Sequence, residues 1–348
     1  MLAAWCVSMS LLLLSLKSKA QEDQFRQING KIADRHTRAN IPFAHIYIEG
    51  TQQGTIADLY GNFTFKYLDK YHNGFLSVSC MGFKTVSIPV SSLKPDEEIL
   101  LEQNIIELAE LIVKPLDPLS LLEEALRKIP ENYDSASLML SGYYKISSRL
   151  GDRQVRYTEA LIDIYKPGYT AGSKENQWSD SIRIRQIRTR RSEIKDWKLK
   201  AMLDAESSLY HLQRRDLIRE LTHHDADETI KSWKENYICE LEKIVSLNGR
   251  PAYVISLNAK KNRKEAFWNG HFFIDEETRA FVKYDFVSSE QLFRKMKGSI
   301  GYILGSKLYG VKYEEGQWRE SMAYAFRDGK WYFREVNSSK HFIISSKK

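Results

Sequence analysis

The sequence predicts a mainly β protein with two modules: a small N-terminal sandwich, then a curved antiparallel sheet of half-barrel type carrying a few helices. Three observations predict it. Short alternating runs between closely spaced glycines fill the first third of the chain, longer alternating segments fill the rest, and helical spacing is confined to two stretches. With 348 residues, 43% hydrophobic and 28% charged, the chain is too apolar for disorder and long enough for two cores. Three cysteines, Cys6, Cys80 and Cys239, exclude a disulfide scaffold, and their spacing matches no C-x-x-C zinc or redox site.

Residues 1–20 read as a secretory signal. Met1 to Leu16 carries no charged side chain, Leu11 to Leu14 form its apolar centre, and Ser18-Lys19-Ala20 is a small-x-small site. The competing reading is an uncleaved anchor, against which the short apolar stretch argues. Cleavage after Ala20 removes Cys6, Lys17 and Lys19 and lowers the formal charge from +7 to +5. Cys80 and Cys239 fall in different modules and interrupt strand-like patterns, so they read as two buried free thiols.

Residues 21–104 form the first module. Its strand-like runs are Ile28 to Ala33, His45 to Glu49, Asn62 to Phe65, Phe75 to Cys80 and Lys84 to Val90, with Gly50, Gly54, Gly61, Gly74 and Gly82 between or beside them. Residues 105–136 are a linker and a helix. Pro115 and Pro118 bar regular structure; Ser120 then reads as the helix cap with Glu123 closing a capping box, and Leu121, Leu122, Ala125, Leu126 and Ile129 supply an apolar face up to Pro130.

Residues 137–348 form the second module. Strands are expected at Leu138 to Ser147, Val155 to Tyr165, Ser181 to Ile187, Tyr237 to Ser246, Ala252 to Asn258 and Phe267 to Ile274. Alternation in Tyr253 to Leu257 and Phe281 to Phe286 predicts a sheet with one covered side. Hairpin turns are expected at Asp275 to Thr278, at Glu314-Glu315-Gly316 and at Asp328-Gly329. A helical insert is expected at about 201–221, ended by His223-His224-Asp225.

Specific motifs lie in the first module. Ile28-Asn29-Gly30-Lys31-Ile32-Ala33-Asp34, then Ile41-Pro42-Phe43-Ala44-His45-Ile46-Tyr47-Ile48, then Gly54-Thr55-Ile56-Ala57-Asp58-Leu59-Tyr60-Gly61-Asn62-Phe63, with Cys80-Met81-Gly82-Phe83 later, closely resemble the carboxypeptidase-regulatory-like domain. The resemblance implies a seven-stranded, transthyretin-like sandwich without catalytic residues of its own. Ala57 and Tyr60 depart from the family pattern. In the motif's turn, Asp58 and Asn62 can accept backbone N–H bonds and Gly61 takes the position with φ > 0. In the second module, Leu121 to Pro130 with Tyr133, Gly142-Tyr143-Tyr144-Lys145, Glu159 to Tyr165 and Gly270 to Val282 resemble envelope proteins that pair this sandwich with a β-rich domain. The last phrase is also similar to half-barrel carriers of lipoproteins or lipids. These resemblances imply a Gram-negative envelope protein at the periplasm or outer membrane, with an envelope protein or a lipid as partner.

Three features invite functional readings. The cations Arg183, Arg185, Arg188, Arg190 and Arg191, followed by Lys195, Lys198 and Lys200, suit anionic headgroups and peripheral membrane association. The competing reading is a solvated strand edge with Ile182 and Ile184 facing inward. His223, His224 and Asp225 offer weak metal ligands or a polar turn. The aromatic residues suit a core or an apolar groove. No His-x-x-Glu, Gly-x-Ser-x-Gly, phosphate loop or dinucleotide fingerprint occurs, which argues against a zinc carboxypeptidase and the common hydrolases. The reading is therefore a non-catalytic binding or scaffold protein without a cofactor and without a nucleic-acid partner. The alternatives are an accessory module of a surface receptor or transporter, and a hydrolase with an unrecognised site.

Overall fold

The structure is a computed structural model. It describes residues 24–346 apart from 52, 59, 105, 108–115, 152, 167, 170–180, 192–194, 196–215, 223 and 262. The expected signal segment lies outside the described residues.

The sandwich contains β1 (Phe25–Asp34), β2 (His45–Ile48), β3 (Gly54–Ile56), β4 (Asn62–Leu68), β5 (Phe75–Ser79), β6 (Val86–Pro89) and β7 (Glu97–Leu101). These seven strands make two sheets, ordered β4-β1-β7 and β3-β2-β5-β6. Alternation does the work here: in β4, Phe63, Phe65 and Tyr67 point into the core while Asn62, Thr64 and Lys66 face water. Ile32, Ile46, Leu76, Val78 and Leu101 fill the space between the sheets. Asp34 ends β1 by accepting the N–H groups of His36 and Thr37 and the Gln103 amide, which hold its carboxyl down at about 2 against the cost of burial.

The chain then crosses to the second module. β8 (Ile106–Glu107) adds to a large sheet, and α1 (Pro118–Arg127) and α2 (Ile129–Asn132) follow. The cap of α1 differs from expectation. Asp117, not Ser120, caps it, because Pro118 suits the first helical position and the Asp117 carboxylate then reaches the Ser120 N–H at 2.9 Å. Glu123 closes no capping box; it pairs with Arg127 one turn on. Leu121, Leu122, Ala125 and Leu126 are buried on one face of α1, and truncating Leu122 costs about 2–5 kcal/mol.

β9 (Leu138–Leu150), β10 (Arg153–Lys166) and β11 (Ser181–Arg191) form a separate antiparallel sheet, ordered β11-β10-β9. α3 (Leu217–Thr222) and α4 (Ala226–Asn236) precede β12 (Tyr237–Leu247), β13 (Arg250–Ala259), β14 (Trp268–Asp275) and β15 (Phe281–Ser288). Then come α5 (Glu290–Gly298), α6 (Ile300–Tyr309), β16 (Val311–Arg327) and β17 (Lys330–Ser346). The large sheet is ordered β17-β16-β15-β14-β13-β12-β8 and is open, so the fold is mainly β with a curved antiparallel sheet and a few helices, as expected.

Several details depart from the sequence reading. Of the insert expected at about 201–221, α3 is its described helix, and 201–215 lie outside the described residues. α4, α5 and α6 are additional. Glu314 to Gly316 is no hairpin turn: β16 runs through it, paired with Ile343 and Phe342 of β17, with a bulge at Tyr313/Glu315 absorbing the irregularity. In β13, Ala252 to Leu257 are all buried, so this strand is covered on both sides rather than one. Central position in the sheet explains it, since each face of the strand meets another layer.

Those layers follow from strand register, because directly paired residues share a face. Ile255, Phe272, Tyr284 and Met322 line up across β13 to β16, and Trp233 of α4 packs its ring 5.3 Å from that of Phe272. α1 joins α4 over this side, closing it with Leu121, Leu122 and Leu126. Val254, Phe273, Lys283, Ala323 and Glu335 line up on the opposite side, where His45 of the sandwich reaches Glu335.

Candidate functional site

The sandwich meets the second module along a seam made largely of polar groups. At one end, His45 at the start of β2 places Nε2 3.3 Å from Glu335 Oε2 of β17. Burial pulls the His45 pKa down from 6.5, outweighing the upward pull of Glu335. Nearby, burial and then the Glu335 charge push the Cys80 thiol up to about 12. Cys239, also reduced, is raised to about 11 by burial.

At the other end, β9 and β10 present one face to the edge strand β3. The register pairs Tyr143 with Leu161, Lys145 with Glu159, and Ser147 with Tyr157, which puts these six side chains on a common face. The Tyr143 and Tyr157 hydroxyls both donate to Glu159 Oε1, and Thr55 Oγ1 of the sandwich lies 3.5 Å from the same oxygen. Burial first, then Glu159, raises both tyrosine pKa values, so they remain protonated donors. Lys145 donates to the Ile56 carbonyl, and burial lowers its pKa. Arg149 lies 3.9 Å from Asp58 and stacks its guanidinium 5.9 Å from the Tyr60 ring.

Of the expected turn residues, Asp58 stands at this seam. Asp58 Oδ1 accepts the N–H groups of Tyr60 and Asn62, both at 2.9 Å, while its other oxygen faces Arg149. Gly61 adopts φ +77°, and a Cβ there would lie 2.5 Å from the Ile32 carbonyl oxygen. Gly54 opens β3, where a Cβ would meet the Ile46 carbonyl at 2.8 Å. Asn62 begins β4 with its side chain exposed.

The basic run occupies β11, an edge of the three-stranded sheet. Arg183 and Arg185 are exposed, and Arg185 pairs with Asp163 at 3.1 Å. Backbone register sets Arg188 opposite Glu159, Arg190 opposite Tyr157 and Arg191 opposite Arg156. The expectation that Ile184 faces inward is corrected: at the edge of the three-stranded sheet it is 41% exposed. Lys198 and Lys200 lie outside the described residues.

His223, the first weak metal candidate, also lies outside them. His224 is exposed, and Asp225 is committed to capping α4, accepting from Asp227 N at 2.9 Å and Glu228 N at 3.1 Å. Among the described residues no three His, Cys, Asp or Glu side chains converge as a metal site.

Among the described residues, one cleft of about 290 Å³ lies beside β6 and β7 near Arg35 and Leu93, and another of about 280 Å³ lies between α1 and α3 near Pro130 and Leu221. The sheet's covered side is filled by α1 and α4, and its aromatic residues pack there. Sequence reasoning missed the seam residues His45, Glu159 and Glu335. Tyr143, Glu159 and Tyr157 alternate within strands, which signals a shared face but not what covers it.

Residues 28–113 match the family model described as CarboxypepD_reg-like domain. No curated protein matches the sequence. Among solved structures, the chain is similar at 9% identity and TM-score 0.24 to a DUF1329 family protein from Desulfovibrio piger, covering 66% of this chain and 91% of that one. It is similar at 8% identity and TM-score 0.23 to a chain of the Pseudomonas aeruginosa MucA/MucB complex, covering 67% of this chain and 100% of that one. No helix of the described residues is long and apolar enough to cross a membrane.

Proposed function

We propose that this chain is an exported, non-catalytic envelope protein in which the second module holds the sandwich in fixed orientation and presents it to a partner protein. The observation that carries this reading is the seam itself, where His45 of the sandwich meets Glu335 at one end and Thr55 joins Tyr143 and Tyr157 around Glu159 at the other. The ionisable groups at the seam are engaged with one another across it, as a latch requires, and the CarboxypepD_reg-like domain is a regulatory rather than catalytic module.

The outer side of β2 and β5 supplies the surface. His45 lies at the seam, but two residues on, Tyr47 is 38% exposed and its diagonal neighbour Phe75 is 49% exposed. Adjacent exposed aromatic rings suit a protein contact, where they bury large area at small entropic cost. Chemical cross-linking in the native envelope, with mass spectrometry of the products, tests this. The partner captured by the unaltered chain should fall at least tenfold in yield with Tyr47→Ala and Phe75→Ala together, since two aromatic contacts at about 1–2 kcal/mol each are lost. Undiminished capture by that variant refutes the surface. Loosening the latch with Glu159→Ala leaves two half-buried hydroxyls without their acceptor, at a cost of about 2–3 kcal/mol. It should speed limited proteolysis of the full chain and weaken capture as well; resistance equal to the unaltered chain refutes the latch.

A further inference from the structure

Between β15 and β16 the chain leaves the sheet to form α5 and α6. α5 is fixed to the far end of the long β16–β17 hairpin. Phe293 and Phe342 occupy the space over Gly316, and Lys297 Nζ donates to the Glu314 carbonyl at 3.0 Å. α6 follows after Ser299 and packs on α5 and β16, which leaves its other side outward.

That outward side is apolar. Ile303 is 40% exposed, Leu304 61% and Leu308 68%. At about 100° per residue these three span an arc of roughly 140°, with Lys307 between them. Single exposed leucines are ordinary on a soluble surface. Three within a turn and a half of one helix form a patch that water solvates poorly.

The segment that carries it is basic. Residues 290–312 contain Arg294, Lys295, Lys297, Lys307 and Lys312 against one carboxylate, Glu290, which Arg294 neutralises at 3.1 Å. Lys295 and Lys297 rest their ammonium groups over Phe267 and Phe293 at 4.2 and 4.6 Å from the ring centroids, so the positive charge stands directly above apolar surface. Such an arrangement matches an interface whose interior is hydrocarbon and whose rim is anionic, because lysine stems lie along apolar surface while their heads reach out to phosphate. With ten residues, α6 is too short to span a bilayer and the right size to lie in its plane.

We infer that α6, with the lysines of α5 and α6, is a membrane-surface site that seats Ile303, Leu304 and Leu308 among the acyl chains of an anionic phospholipid leaflet. This site is separate from the aromatic surface of β2 and β5 and stands independently of it.

Vesicle flotation with the full chain tests the inference, comparing phosphatidylcholine alone with phosphatidylcholine containing about one third phosphatidylglycerol. The chain should float with the anionic vesicles and remain behind with the neutral ones, and added salt should release it. Ile303→Ser, Leu304→Ser and Leu308→Ser together should lower partitioning about tenfold or more. Because that variant alters three positions of one helix, Lys295→Gln and Lys307→Gln provide a second arm, each expected to weaken partitioning about fivefold at unchanged unfolding temperature. Equal flotation with neutral and anionic vesicles, or flotation unchanged by both sets of variants, overturns the site. Concentration-dependent self-association in buffer, abolished by the triple variant, also overturns it by assigning the patch to a second copy of the chain.

Discussion

The buried ion pair of Lys166 and Asp216 offers the sharpest test of how the second module is held together. Lys166 ends β10, Asp216 precedes α3, and their Nζ and Oδ2 atoms stand 2.7 Å apart with each side chain 3% exposed. Tyr324 of β16 donates its hydroxyl to Asp216 Oδ1 at 3.0 Å, and Ile218 N donates to the same oxygen at 3.1 Å. Around them the rings of Tyr133, Tyr169 and Tyr324 pack with centroids 5.4–6.4 Å apart. One group of charges therefore ties the small sheet, α3 and the large sheet. Lys166→Met keeps the volume and removes the cation, leaving the carboxylate buried against apolar rings. Breaking a buried pair in this way costs about 3–5 kcal/mol. Tyr324 and Ile218 still hydrogen-bond the carboxylate, which places the expected loss near 3 kcal/mol. In urea, with a slope of roughly 3 kcal/mol per molar, the midpoint falls by about 1 M. Adding Asp216→Asn removes the stranded charge while keeping the acceptor for Tyr324 and Ile218, and should restore stability to within about 1 kcal/mol of the unaltered chain. A loss below about 1 kcal/mol for Lys166→Met, or a double variant no more stable than the single one, refutes the reasoning.

Two further predictions follow from the seam and the sandwich turn. His45 titrates below its ordinary value of 6.5 because burial disfavours its charged form, so the unfolded chain binds the proton more readily than the folded one. Its contribution to stability is complete above about 6.5 and is lost as pH falls through the lower folded value; thermal midpoints measured from pH 7.5 to 5 should drop, and His45→Gln should flatten that slope. Gly61→Ala places a Cβ at φ +77° against the Ile32 carbonyl and should destabilise the sandwich by about 2–3 kcal/mol, measured by chemical denaturation.

Local chemistry made much of the fold legible. The Asp58 to Asn62 turn was readable because a carboxylate followed by a glycine specifies its own hydrogen bonds and backbone sign within five residues. The turn at Asp328-Gly329, with φ of 51° and 81°, announced its hairpin for the same reason. Local signals also misled. Glu314-Glu315-Gly316 carries turn residues, yet seventeen-residue strands pairing on either side draw it into the ladder. Ser120 and Glu123 spell a capping box, but Pro118 fixes the helix start three residues earlier.

What the sequence alone determined were features whose causes lie within a few residues: alternation, turn chemistry, and the motif of the sandwich. Tertiary structure decided which faces are covered and which charges meet. His45 finds Glu335, Thr55 finds Glu159 and Lys166 finds Asp216 across long separations in the chain. Strand alternation states that a side chain faces one side or the other; the layer that comes to lie there is chosen by packing of the whole molecule.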